Sequence, residues 1–409
     1  MTMSDLTTLE IFLHDQRIGT LTRLPNEKVL LAWSRDYLIN ENRNTLSLSF
    51  KDQMGDLISD FKPVGPALPP YFSNMLPEGR LRDYLAARAN VKSEREFFLL
   101  WALGKDLPGA IDVRPAEGEP SPMWRDAVVP QIPDPDGPLR FSLAGVQLKF
   151  SALSAARGGL TIPAQGMGGD WIVKLPSLEF EGVSENEFSM MMLAGWLGMQ
   201  VPEVRLIETR EIENLPNGLP NFRGQAYAIM RYDRKPDGQK LHQEDFAQIF
   251  GLRPSRKYDL ASYRRIAHVL AIEGDDDDIR EFVRRLVFNT LIGNADMHSK
   301  NWSVIYPDRR NASIAPAYDF VSTIEYLPED KLALKVSRSA RFDEFNLDEL
   351  AHMAAKALLP EKLVLDVARE TVQRFHEVWH AEKMHLPMMA DVREGIDRHL
   401  ARVPIFHEV

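Results

Sequence analysis

The sequence predicts an α+β chain in three parts: a small N-terminal unit, a sheet-containing lobe, and a mainly helical C-terminal lobe. Three observations carry this. Strand-like alternation and helical periodicity are mixed ahead of residue 114, seven prolines fall from Pro115 to Pro138, and after residue 242 apolar positions recur almost wholly at helical spacing.

Leu9-Glu10-Ile11-Phe12-Leu13 and Leu46-Ser47-Leu48-Ser49-Phe50 alternate like strands, while 76–91 and 94–104 have helical spacing, so 1–114 reads as an α+β subdomain. Residues 115–138 also carry Gly118, Asp134, Asp136 and Gly137; such a stretch continues neither a helix nor a central strand and is expected to be a linker. Strand-like runs at 147–154, 171–175 and 226–231, with a helix from Glu185 to Leu197, define a lobe over 139–232. The mainly helical lobe runs from 233 to 409, its pattern almost wholly helical from 242 onward apart from 302–306. Within it Ile279, Phe282, Val283, Leu286, Val287 and Leu291 form one stripe of a helix over 277–292, which Gly293 ends. The run Asp275-Asp276-Asp277-Asp278 opens that helix, where carboxylates complement its dipole.

The chain has 409 residues, enough for two or three domains, and its 49 basic and 59 acidic residues leave a formal net charge of -10. That field does not favour direct binding to phosphate backbones. No cysteine is present, which excludes disulfides, thiolate metal sites and cysteine nucleophiles. The start lacks a charged segment followed by an apolar core, and no apolar run approaches a membrane span, so a cytoplasmic protein is expected.

The most informative stretch is Leu291 to Ile305, followed by Tyr318-Asp319-Phe320. Asp296 and Asn301 lie five residues apart on a loop between the 277–292 helix and the 302–306 strand, and Asp319 follows one strand-length excursion later. Phosphotransferases need this order. One Asp accepts the proton of the attacking hydroxyl, an Asn holds a metal ion, and a second Asp bridges Mg2+ to the nucleotide phosphates. A helix-capping or turn carboxylate is the plain alternative for Asp296.

The preceding lobe supplies matching parts. Trp171-Ile172-Val173-Lys174-Leu175-Pro176 is a buried-looking strand with an internal lysine, which is costly unless paired; ATP phosphates and a helix carboxylate are the usual partners in kinases. Glu187 is the candidate carboxylate, although Ser184-x-x-Glu187 also spells a capping box. An edge-strand lysine reaching solvent is the plain alternative for Lys174, and the downstream Asp296, Asn301 and Asp319 favour the functional role. No G-x-G-x-x-G loop precedes this strand. In its place stands Phe141-Ser142-Leu143-Ala144-Gly145-Val146-Gln147-Leu148-Lys149-Phe150, where small residues such as Ala144 and Gly145 could turn backbone N–H groups toward phosphates.

Those segments, with Glu185-Asn186-Glu187-Phe188, Met230-Arg231-Tyr232-Asp233-Arg234, Gln243-Glu244-Asp245-Phe246, Gln248 to Leu252, Lys257-Tyr258, Asn74 to Gly79 and Ala102 to Ala110, closely resemble the HipA family of toxin–antitoxin kinases across nearly the whole chain. The resemblance implies a HipA-like, kinase-related two-lobed fold and an ATP- and Mg2+-dependent Ser/Thr kinase. Its activity would arrest growth by modifying a translation component such as an aminoacyl-tRNA synthetase. It further implies a HipB-like antitoxin with a helix-turn-helix DNA-binding domain, through which the complex would meet operator DNA. Residue by residue, Lys174 would bind phosphates and Tyr232 would lie at the hinge over the adenine. Asp296 would be the base, Asn301 and Asp319 the metal ligands, and His298 a phosphate contact or loop-shaping residue. Ser142 matches a self-phosphorylation site whose modification shuts the enzyme off. Gln243, Glu244 and Asp245 match a signature without an evident chemistry. Met230 stands where many relatives have an acidic residue, so base contacts there would rest on backbone groups.

Three other readings stay in view. A lipid or small-molecule kinase is one, weakened by the lack of a polybasic or amphipathic membrane segment. A non-enzymatic co-repressor bound to the antitoxin is another; it would predict loss of Lys174, Asp296 or Asp319, and all three are present. A metal-dependent hydrolase is the third, but His242, His268, His298 and His352 lack ligand-like spacing.

Overall fold

The computed structural model describes residues 6–122, 148–154, 159–163, 168–215, 222–327 and 331–409. The N-terminal unit is built on strands β1 (Thr8–Leu13), β2 (Gln16–Arg23), β3 (Val29–Trp33) and β4 (Ile111–Pro115), antiparallel in the order β3-β2-β1-β4. Helices α1 (Arg35–Ile39), α2 (Pro70–Asn74), α3 (Gly79–Arg88) and α4 (Glu96–Leu103) lie between β3 and β4. The expected strand at 46–50 is instead a one-turn 3-10 helix over Leu48–Phe50. Its alternating serines do not face solvent: the Ser47 hydroxyl caps the turn and also donates to Glu244 at 2.5 Å. A serine that bonds locally competes with strand pairing, and here it wins.

The second sheet combines β5 (Lys149–Ser154), β6 (Leu160–Thr161), β7 (Trp171–Lys174), β8 (Val204–Glu208), β9 (Ile212–Glu213) and β10 (Gln225–Met230) in the order β8-β10-β7-β5-β6-β9. Helix α5 (Val183–Trp196) packs against β8 and β10. The two faces of the central strands go to different cores. Ala226 and Ala228 of β10, with Trp171 and Val173 of β7, bury against the N-terminal unit, while Tyr227 and Ile229 bury against the helical lobe. Strand alternation thus lets one sheet join both neighbours.

The C-terminal lobe is less purely helical than its periodicity suggests. Strands β11 (Gln243–Asp245), β12 (Ser303–Ile305) and β13 (Ser313–Ile314) form a small antiparallel sheet beside α6 (Phe246–Ile249), α7 (Tyr263–Glu273), α8 (Asp276–Leu291), α9 (Leu347–Ala357), α10 (Glu361–Glu382) and α11 (Ala390–Leu400). Three-residue strands are too short to show a period. The Gln243-Glu244-Asp245 signature acquires physical roles here. Gln243 accepts the Tyr232 hydroxyl; Glu244 accepts from Ser47, the Leu48 N–H and Tyr306; Asp245 caps α6 in a capping box with Gln248. Asp275 likewise caps α8 in a box with Asp278.

Arg231 and Arg234, directly after β10, hold the N-terminal unit to this body. Arg231 pairs with Asp106 and Asp233 at 3.0 Å each, and Arg234 pairs with Asp233 at 2.8 Å and Asp106 at 3.3 Å. Arg234 also donates to the carbonyls of Leu107 and Gly109. Fully paired and buried, this group sets one register between the two units; removing one partner would strand a charge.

Candidate active site

Helix α8 delivers the acidic loop. Gly293, at φ 65°, turns the chain where a side chain would collide with Ile324, and the loop that follows is tied down bond by bond. The Asp296 N–H donates to Asn294 Oδ1 at 2.9 Å, Asn294 Nδ2 donates to Asn289 Oδ1 at 2.8 Å, and the Ala295 N–H donates to Thr323 Oγ1 at 2.9 Å. Asn301 Nδ2 donates to the Asp296 carbonyl at 3.0 Å, which leaves its amide oxygen as the end that could meet a cation. The Asp296 carboxylate accepts from the Tyr258 hydroxyl.

Strand β7 and helix α5 build the facing part. Lys174 Nζ lies 2.6 Å from Glu187 Oε1 and also pairs with Asp319. Glu187 is therefore oriented by Lys174. The capping-box reading fails: Gly182 is the N-cap of α5, it makes no side-chain cap bond, and Ser184 Oγ has no hydrogen-bond partner. Burial opposes the charge on Asp319, yet Lys174 and Lys149 outweigh it and hold its carboxyl well below the usual range. Burial likewise disfavours charged Lys174, but Asp319 and Glu187 more than compensate and raise its pKa. Burial pushes Glu187 up to about 7 against the pull of Lys174. Lys149 sits opposite Lys174 in the β5–β7 register.

Asp319 has a left-handed backbone, φ 60°, an uncommon state for a non-glycine residue that the surrounding bonds must impose. Neighbouring Tyr318 donates to the Lys300 carbonyl at 3.0 Å and shares a 2.5 Å hydrogen bond with Ser303, so the Asp319 segment is anchored to the Asp296 loop. His298 is buried, and both of its ring nitrogens are without a hydrogen-bond partner. Desolvation, then Lys257, lowers its pKa to about 3, so it is neutral near pH 7 and offers one donor and one acceptor.

Of the sequence-derived residues, Lys174, Glu187, Asp296, His298, Asn301 and Asp319 converge. Tyr232 lies beside them with its ring 6.2 Å from that of Tyr318 and its hydroxyl on Gln243. Ser142, Ala144 and Gly145 lie outside the described residues. A cavity of about 430 Å³ flanks Met230 and Tyr232 and is otherwise lined by Met199, Gln200, Val201, Pro202 and Pro316; neither Lys174 nor Asp319 lines it. The roles of Lys149, Glu78, Lys257, Tyr258 and Lys300 were not apparent from spacing.

The donor set fits a nucleotide and a hard cation. Orphaned nitrogens of a buried histidine call for a polar ligand. Mg2+ needs one or two protein oxygens besides phosphates and water, and the Asn301 amide oxygen and the Asp319 carboxylate are such oxygens. A sheet lobe that hands a paired lysine to the acidic loop of a helical lobe is the architecture of kinase-related proteins, and fold and site assign the chain to that class.

Comparison with known proteins gives the family. The family model of the HipA-like C-terminal domain matches residues 141–379, and that of the HipA N-terminal domain matches 9–114. The chain is 53% identical over 410 residues to "Putative kinase Y4dM" of Sinorhizobium fredii, covering 99% of both chains. It is 28% identical over 352 residues to the serine/threonine-protein kinase toxin HipA of Shewanella oneidensis, covering 75% of this chain and 76% of that one. The fold matches HipA in the structure of the Shewanella oneidensis HipA, HipB and operator DNA complex with a TM-score of 0.73 at 23% identity, over 96% of this chain and 94% of that one. The chain belongs to the HipA family of serine/threonine kinase toxins. Among the described residues, no helix is long and apolar enough to cross a membrane.

Proposed function

We propose that the chain is an ATP- and Mg2+-dependent serine/threonine protein kinase whose activity arrests growth. The observation that carries this reading is Lys174 held between Glu187 and Asp319 beside the Asp296–Asn301 loop. In this reading Lys174 releases Asp319 to take up nucleotide phosphate, and Glu187 keeps its ammonium aimed. Asp296 accepts the proton of the acceptor hydroxyl. Asn301 and Asp319 hold Mg2+, which when bound would neutralise charge on the phosphate oxygens. His298 bonds phosphate as a neutral ring, Tyr232 covers the adenine, and Ala144 and Gly145 belong to the proposed nucleotide-binding set. The units 1–114, 139–232 and 233–409, with 115–138 as linker, are the N-terminal subdomain, the nucleotide lobe and the catalytic lobe.

A translation component such as an aminoacyl-tRNA synthetase is the proposed substrate class, and the cytoplasm the proposed compartment. A HipB-like helix-turn-helix antitoxin is the proposed partner. The Shewanella oneidensis relative is named in a complex with HipB and operator DNA, and a chain of net charge -10 suits a protein that reaches DNA through its partner. Self-phosphorylation at Ser142 would set about -1.5 to -2 charges against the phosphate pocket and close it.

Two measurements test the reading. A bacterial lysate incubated with the protein and Mg-ATP should yield new phosphopeptides, Ser142 among them, that an Asp296→Asn control lacks. Expression without antitoxin should arrest a bacterial host only when Asp296 is intact; equal arrest by both forms would reject kinase toxicity.

A further inference from the structure

We infer that Glu78, on the N-terminal unit, is a positioning residue of the phosphotransfer site, acting through Lys300 and Lys257 on Asp296. The inference rests on the kinase reading above. Each Glu78 carboxylate oxygen takes one lysine: Oε1 lies 2.5 Å from Lys300 Nζ and Oε2 lies 3.0 Å from Lys257 Nζ. Lys300 also donates to the Asn74 carbonyl at 3.2 Å. Both lysines are largely buried, with side-chain exposures of 15% and 9%.

What separates this contact from an ordinary ion pair is where the lysines sit in the chain. Each immediately precedes a residue that touches Asp296. Lys300 precedes Asn301, whose amide holds the Asp296 carbonyl, and Lys257 precedes Tyr258, whose hydroxyl holds the Asp296 carboxylate. The two segments are laced together, because the Lys257 carbonyl accepts from Ser299 Oγ at 2.7 Å. Glu78 thus clamps both supports of the base from 179 and 222 residues away in sequence. Burial would raise its pKa, but Lys300 and then Lys257 outweigh that and bring it down to about 2, so the clamp is charged throughout the neutral range. Without it two ammonium groups would be left unneutralised on the two segments that hold Asp296, and their mutual repulsion would draw those segments out of register.

The experiment uses the full chain as wild type, Glu78→Gln, Asp296→Asn and the double variant. It measures thermal melting, Mg-ADP binding by calorimetry, and initial rates of γ-phosphate loss from ATP. Glu78→Gln should lower kcat roughly 10- to 100-fold, since a displacement of about 1 Å of a reacting group costs that much. KM for ATP and the Mg-ADP Kd should stay within about threefold of wild type. Because Glu78 works through Asp296, the double variant should be no slower than Asp296→Asn alone. Lys257→Met detaches one of the two links and carries the same split at a smaller loss; it serves as the test if Glu78→Gln does not fold. A wild-type kcat in the tested variant overturns the inference, as does a loss that adds to that of Asp296→Asn or appears equally in Mg-ADP affinity. A wild-type protein that neither consumes ATP nor binds Mg-ADP overturns the kinase reading itself, and the inference with it.

Discussion

Two charged clusters border His298, and they are built in opposite senses. In the first, one lysine, Lys174, serves two carboxylates, Glu187 and Asp319. In the second, one carboxylate, Glu78, serves two lysines, Lys300 and Lys257. The first cluster has carboxylate oxygen to spare and the second has ammonium N–H to spare. A metal–phosphate ligand needs both. The clusters also differ in origin: the first joins a strand, a helix and the Asp319 segment, whereas the second bridges from the N-terminal unit to the Asp296 loop.

The largest expected effect lies between them. Asp296→Asn removes the proposed proton acceptor while nearly keeping its shape, so phosphotransfer should fall roughly 10²- to 10⁴-fold with Mg-ADP affinity retained. Asp319→Asn, inside the first cluster, should instead abolish metal-dependent nucleotide binding in a titration. Matching phenotypes would erase the division of labour between cluster and loop.

Next in size is Lys174→Met. Because Lys174 answers two buried carboxylates, its removal strands both, and breaking such a group costs about 3–5 kcal/mol. The variant should lose stability in urea unfolding as well as nucleotide affinity. Its stability deficit should shrink as pH falls toward 7 and level off below it, because losing Lys174 pushes the stranded Glu187 carboxyl above the value of about 7 it has beside the lysine. A deficit independent of pH would mean that Glu187 does not depend on Lys174.

The seam crossed by the second cluster also contains a neutral clamp. Buried His242 meets the Leu46 carbonyl through Nε2 at 2.7 Å and the Ala110 N–H through Nδ1 at 3.4 Å, and it stacks on Tyr306. Desolvation lowers its pKa to about 4. On acidification from pH 7 to 5 the unfolded chain therefore protonates this histidine while the folded chain does not, and folded stability is lost. The term is worth about 2 kcal/mol over that interval. His242→Asn removes it, so the stability gap between wild type and variant should narrow by that amount at pH 5; parallel unfolding curves would show that the seam is not held by a neutral ring.

These clusters also show what the sequence made legible. Asp296, Asn301 and Asp319 stand out because local punctuation frames them: a helix stripe, Gly293, then an aromatic β-branched run. Lys174 stands out as a charge inside an apolar strand. Glu78 carries no such mark, because its partners lie 179 and 222 residues away and only packing of the N-terminal unit brings them together. The same limit explains the 46–50 segment, whose alternation is that of a strand but whose serine is claimed by distant Glu244. Short strands β11 and β13 were hidden for a simpler reason, since two or three residues define no period.

The smallest expected effect decides how Glu187 is held. If Ser184 and Glu187 formed a capping box, Ser184→Ala would cost about 1 kcal/mol. In the structure Gly182 is the N-cap, Ser184 Oγ is buried without a partner, and Glu187 faces Lys174. Deleting a hydroxyl that bonds to nothing removes a desolvation penalty and no interaction, so Ser184→Ala should be neutral or stabilising, with a change within about 0.5 kcal/mol of zero or a modest gain. Nucleotide affinity should not move. A loss near 1 kcal/mol in urea unfolding would return Glu187 to the helix terminus, leave Lys174 with Asp319 alone, and remove the asymmetry that distinguishes the first cluster from the second.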